Sequence, residues 1–232
     1  MKSFAHESHG MPVHAVDGEI GTIQDVLFDP HDWTVRYLEV STGWLFGRDV
    51  LIPVGKVKRI DAPDGVATFD CTKEQIQNSP STEPERAIDR DYESRLVSHY
   101  GLTPYWAAPP EAGVPPQAMP IDARPAQGAE AAEGSLLLSG GEFDGYDLDA
   151  QGETVGTVRD VLIDLDTWKV TSLMADLGGI FTQDVETIGV GPVVGVDREN
   201  GIVNVSTAPE EMGHGGTGEN LPFVFPYVPP IA

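Results

Sequence analysis

The chain of 232 residues contains one cysteine, Cys71, and only 14 lysines and arginines against 37 aspartates and glutamates. A single thiol excludes an intramolecular disulfide framework. Cys71 closes an apolar-alternating stretch and reads as a small buried residue rather than a nucleophile. The scarcity of basic side chains leaves a net charge of −23. That speaks against direct nucleic-acid binding, which works by neutralising phosphates, and against adhesion to anionic membranes. No stretch approaches the roughly 18 consecutive apolar residues of a transmembrane helix. Residues 1–10 lack the apolar core of a secretory signal, so a cytoplasmic location is the default. Missing too are Gly-x-Ser-x-Gly, a Gly-x-Gly-x-x-Gly turn and a phosphate-binding Gly-Lys-Ser/Thr loop. The expectation is a protein with no catalytic residues and no cofactor.

What the chain does have is an internal repeat. Gly21-Thr22-Ile23-Gln24-Asp25-Val26-Leu27-Phe28-Asp29 returns 135 positions later as Gly156-Thr157-Val158-Arg159-Asp160-Val161-Leu162-Ile163-Asp164. The same offset joins Trp33 to Trp168, Leu38 to Leu173 and Gly43 to Gly178. Solenoid repeats run about 20–50 residues, so this spacing indicates two duplicated domains. Each is small enough to be marginal alone, and packing of one on the other, or a homodimer, is expected.

Both copies read as short strands with tight turns. Trp33–Val40 alternates apolar and polar residues, as a half-buried strand does. Asp64-Gly65 and Asn200-Gly201 are hairpin signals. Five or six such strands per copy predict a mainly β chain of two small antiparallel barrels, joined by a helix and a Pro-rich linker. The expected boundaries are 1–78 for the first barrel and 79–134 for helix and linker. The second barrel takes 135–210, and an extended Gly/Pro-rich tail takes 211–232. Nine of the nineteen prolines lie within 80–125, which suits a linker and not a sheet. One helix is predicted there, with Asp89 as N-cap, Gly101 just past its end, and Ile88, Tyr92, Leu96 and Tyr100 on its apolar stripe. Tyr105 and Trp106 are expected to be anchored beside it.

The stretches Gly18–Asp29 with Trp33–Val40, Gly152–Asp164 with Trp168–Asp176, and Val50-Leu51-Ile52-Pro53 resemble the PRC-barrel family. The segment Asp89–Glu93 through Tyr100-Gly101 and Pro104-Tyr105-Trp106 is similar to the one after the barrel in stand-alone bacterial members. The second copy departs from the pattern at Glu186-Thr187-Ile188-Gly189, which lacks the proline. The family includes the cytoplasmic domain of the photosynthetic reaction centre H subunit and the C-terminal domain of a ribosome maturation factor. The resemblance implies a β-barrel adaptor for other macromolecules with no shared catalytic set.

Candidate sites emerge from residue type and spacing. Trp44, Leu45 and Phe46 form an apolar loop where the second copy has Gly179-Ile180-Phe181, and they either pack on the other barrel or meet a protein partner. His6 and His9 at i, i+3 are metal candidates, weighed against an unstructured leader. Asp147 and Asp149 open like a calcium loop, but Val158 stands where its bidentate Glu belongs, so a carboxylate-rich hairpin turn is expected. Asp25/Asp160 and Asp29/Asp164 recur at equal spacing and are read as turn caps, or else as a proton- or cation-handling site. Trp33 and Trp168 are read as large residues that seal the barrels. The functional expectation is a protein-binding or assembly adaptor. The alternatives are a cation-binding or pH-responsive acidic protein, and a ribosome or RNA-processing assembly factor acting through a protein.

Overall fold

The computed structural model describes residues 2–43, 47–61, 65–81, 88–107, 137–177 and 185–208. Alternating apolar residues make the first copy: β1 (Lys2–Phe4), α1 (Ala5–Ser8), β2 (Pro12–Ala15), β3 (Gly18–Asp29), β4 (Thr34–Ser41), β5 (Asp49–Pro53), β6 (Val57–Asp61) and β7 (Val66–Phe69). Two helices come next, α2 (Lys73–Gln77) and α3 (Arg90–His99). The second copy runs through β8 (Leu138–Ser139), α4 (Gly140–Phe143), β9 (Asp147–Ala150), β10 (Glu153–Asp164), β11 (Lys169–Asp176), β12 (Val185–Gly189), β13 (Val193–Asp197) and β14 (Ile202–Val205).

The chain is mainly β, as expected, but the strands do not close into two separate antiparallel barrels. Among the described residues they form one open sheet of fourteen strands, whose main path runs from β13 through β11 and β4 to β6. Two pairings are parallel, β2 with β7 and β9 with β14. One hydrophobic cluster runs through both copies, with Ile23, Val35, Leu38, Val158, Val170 and Leu173 all at most 1% exposed.

The repeat in sequence is a repeat in register. β3 breaks its pairing with β4 between Ile23 and Asp25 and again between Leu27 and Phe28. β10 breaks its pairing with β11 between Val158 and Asp160 and between Leu162 and Ile163, the equivalent positions. Bulges of this kind bend a strand and sharpen its twist. Each 12-residue strand therefore serves two partners along its length. β3 takes β2 on its first half and β8 on its second. β10 takes β9 and then β1. The repeated glycines have a steric cause. A Cβ on Gly21 would lie 1.9 Å from the Ser41 carbonyl oxygen, and one on Gly156 would lie 2.4 Å from that of Asp176.

The residues after the first copy form the predicted helix. Asp89 caps α3 by accepting the Tyr92 amide at 2.7 Å. At the other end Gly101 adopts φ +65°, with Gly101 N–H donating to Ser98 and Leu102 N–H to Val97. That pair of hydrogen bonds is the Schellman ending, which glycine permits at no steric cost. Tyr92, Leu96, Val97 and Tyr100 are buried, and the bridge from Ser81 to Val50 runs along the free edge of β5. Among the described residues no helix is long and apolar enough to cross a membrane.

Candidate functional site

α3 docks on the sheet through a buried polar cluster. Glu93 is 1% exposed and accepts hydrogen bonds from the Tyr37 hydroxyl at 2.9 Å, the Tyr105 hydroxyl at 3.1 Å and the Arg90 guanidinium at 3.0 Å. The Arg36 guanidinium lies 3.8 Å from the Tyr105 ring centroid, and that of Arg90 lies 4.3 Å from Trp106. Arg36 also pairs with Asp32 at 2.5 Å and Asp29 at 3.5 Å. Burial raises the Glu93 carboxyl, opposed by these donors and cations. Tyr37 is pushed well above the ordinary phenol range by burial and by the neighbouring Glu93 charge. A buried carboxylate needs such donors to remain ionised. The anchoring of Tyr105 and Trp106 is as expected. Glu93 itself was not singled out from sequence, although its place on the flank of the apolar stripe, three residues after Arg90, was the available signal.

Asp25 and Asp160, unlike the turn caps expected, lie inside strands β3 and β10 beside the equivalent bulges. Each accepts the amide of the next residue at 2.7 Å, Val26 and Val161 respectively. Each also reaches the other copy. Asp25 accepts from the Gly141 amide at 3.2 Å, at the start of α4. Asp160 accepts from the His6 amide at 3.2 Å, at the start of α1. Burial pushes Asp160 up to about 6, against the opposing pull of these amides and His6. Glu39 pairs with Asp25 in register and is raised by burial and by the charges of Asp49 and Asp25. Asp29 and Asp164 serve as turn acids, accepting the amides of His31 at 3.0 Å and Asp166 at 2.9 Å.

The remaining candidates separate. His6 and His9 lie in and just after α1, so the N-terminus is a strand and a helical turn rather than an unstructured leader. The cause is that α1 is held by Asp160 while the His9 ring bonds the Gln24 carbonyl. Asp149 accepts the Gly152 amide at 2.7 Å, a turn bond, while Asp147 is exposed at the start of β9. Among the described residues no three His, Cys, Asp or Glu side chains converge as a metal site would need. Cys71 is buried just past β7, and burial raises its thiol to about 11. Trp44, Leu45 and Phe46 lie outside the described residues.

The two copies differ in how their edges are covered. In β5, Val50, Leu51 and Ile52 are at most 1% exposed. In β12, the equivalent strand by its pairing with β11, Val185 is 48% exposed, and Thr187 and Gly189 are also exposed.

The PRC-barrel domain family model matches residues 1–76. The first copy is a PRC-barrel domain. A Deinococcus radiodurans protein, itself described only as uncharacterized, is 33% identical over 90 residues, covering 38% of this chain. The match spans 31% of that relative's length. The PRC-barrel match covers every strand from β1 to β7, and α2 begins within its last residues.

Proposed function

We propose that this chain is a non-enzymatic adaptor of the cytoplasm, built from two PRC-type domains, that binds another protein at the edge of its second copy. The second copy's membership rests on its equivalent bulges, glycines and register. The observation that carries the binding role is the contrast between β5 and β12. The β5 edge is met by Ser81 of the same chain and its face is buried, whereas β12 offers exposed Val185 and Thr187. Among the described residues β12 pairs only with β11, and an open edge strand is a template for a further strand from a partner. A second chain pairing β12 to β12 gives the homodimer as one form of this binding. A photo-cross-linking residue at Thr187 is expected to capture a protein in native cells, while one at exposed Glu74 is not. Equal capture, or none, from both positions overturns the assignment.

A pH-responsive role is the second reading, favoured by the raised, buried carboxyl of Asp160 at the junction of the copies.

A further inference from the structure

The contacts between the copies obey the same offset as the sequence. Ser3 pairs with Ile163 and Phe4 with Leu162. Leu138 pairs with Phe28 and Ser139 with Leu27. Each residue of one set stands 135 positions from its counterpart in the other. The same holds where β4 meets β11: the Val35 amide donates to the Trp168 carbonyl at 2.8 Å, and the Val170 amide donates to the Trp33 carbonyl at 2.7 Å. Lys169 pairs with Thr34, its own equivalent. A Cβ placed on Gly140 would lie 3.4 Å from that of Ala5, again its own equivalent. Residues that meet their own counterparts lie on a two-fold axis, and reciprocal pairs on either side of it define an isologous interface.

We propose that the two copies are each other's binding partner, joined by an isologous dimer interface closed within one chain, with residues 2–9 docking on the second copy and residues 137–145 on the first. The docking segments have no independent means of folding. Strands of three and two residues and helical turns of four do not persist unaided in water. They are held by the second halves of β10 and β3, and by Asp160 and Asp25 at the helix starts. Packing adds to these bonds: Phe143 of α4 stands 5.4 Å from Phe28 and 6.2 Å from Trp33, ring to ring. The interface therefore combines main-chain pairing, paired carboxylates and an aromatic contact. It does not depend on the stretch joining the copies.

The test uses the whole chain. A site-specific protease sequence is inserted after Pro120, the protein is purified intact, then cut and followed by size exclusion with light scattering. Cutting removes the concentration advantage of the covalent link and nothing else. The cut protein is expected to keep the mass and elution volume of the uncut protein at micromolar concentration. Replacing Asp25→Ala and Asp160→Ala together, which removes the acceptors of the Gly141 and His6 amides, is expected to weaken association of the cut halves by about 10- to 100-fold, with circular dichroism unchanged. Separation of the wild-type halves into two folded species overturns the proposal, as does a double variant that associates as tightly as wild type. Loss of β12 binding leaves these results untouched, so the two claims fail separately.

Discussion

Asp160 accepts the amide of His6 at 3.2 Å across 154 residues of sequence, and it does so from a site only 9% exposed. Its carboxyl sits at about 6 in the folded protein against an ordinary 3.8, chiefly through burial. A raised carboxyl means that the native state binds the proton more tightly than the unfolded chain. Its contribution to stability is thus fullest below about 4 and is lost as pH rises through about 6. Glu39 and Glu93 shift in the same direction. Urea unfolding between pH 4 and 7 is expected to show wild type losing on the order of 2 kcal/mol relative to Asp160→Asn as pH rises. Parallel profiles for the two proteins would show that the carboxyl titrates normally.

The cluster around Glu93 predicts coupling between helix and sheet. Tyr37→Phe removes one of the donors to a buried carboxylate and is expected to cost about 1–3 kcal/mol. Glu93→Gln loses the ionic character of the bonds to Arg90 and Tyr105. The double variant should cost less than the sum, with an interaction of roughly 1 kcal/mol or more. Denaturant unfolding of the four proteins measures it. Additive losses would mean that the two groups do not share a bond in solution.

Gly21 and Gly156 allow the main chain to approach at equivalent bulges. Alanine at either position drives a Cβ into a carbonyl oxygen, at 1.9 Å for Gly21 and 2.4 Å for Gly156. Both substitutions are expected to lower the thermal midpoint, Gly21→Ala more than Gly156→Ala, with the former costing more than about 2 kcal/mol. A Gly21→Ala protein as stable as wild type would mean the strands are further apart than 1.9 Å of Cβ clearance implies.

The two docking segments are alike in backbone and unlike in packing. Phe143 inserts a ring between copies, whereas its equivalent, Ser8, is small and bonds the Ala5 carbonyl at 2.6 Å. Phe143→Ala is expected to cost about 3 kcal/mol or more, and Ser8→Ala about 1 kcal/mol or less. Calorimetric unfolding of both variants checks the contrast.

The β content, the cap at Asp89, the glycine ending of α3 and the turn acids Asp29 and Asp164 were legible in the sequence because each is a local matter. Turn chemistry and period-2 alternation act over a few residues. The strand exchange was not legible. Residues 2–15 and 137–150 keep the offset but share few identities, among them Gly10 with Gly145 and Ala15 with Ala150. The contacts that the two segments share are main-chain bonds, which place little demand on side chains. The role of Asp25 and Asp160 was hidden for the same reason, since the donors they reach are amides of the other copy. Glu93 was concealed by its type: a glutamate on a helix reads as solvated until Tyr37 and Tyr105 are seen to enclose it.

Reciprocal bonding of the copies is tested most directly by nuclear magnetic resonance of the uncut wild-type chain. Nuclear Overhauser contacts should join the Val35 amide to Trp168 and Lys169, and the Val170 amide to Trp33 and Thr34, with both amides slow to exchange. Both sets of contacts missing, with both amides exchanging as fast as exposed ones, would contradict it.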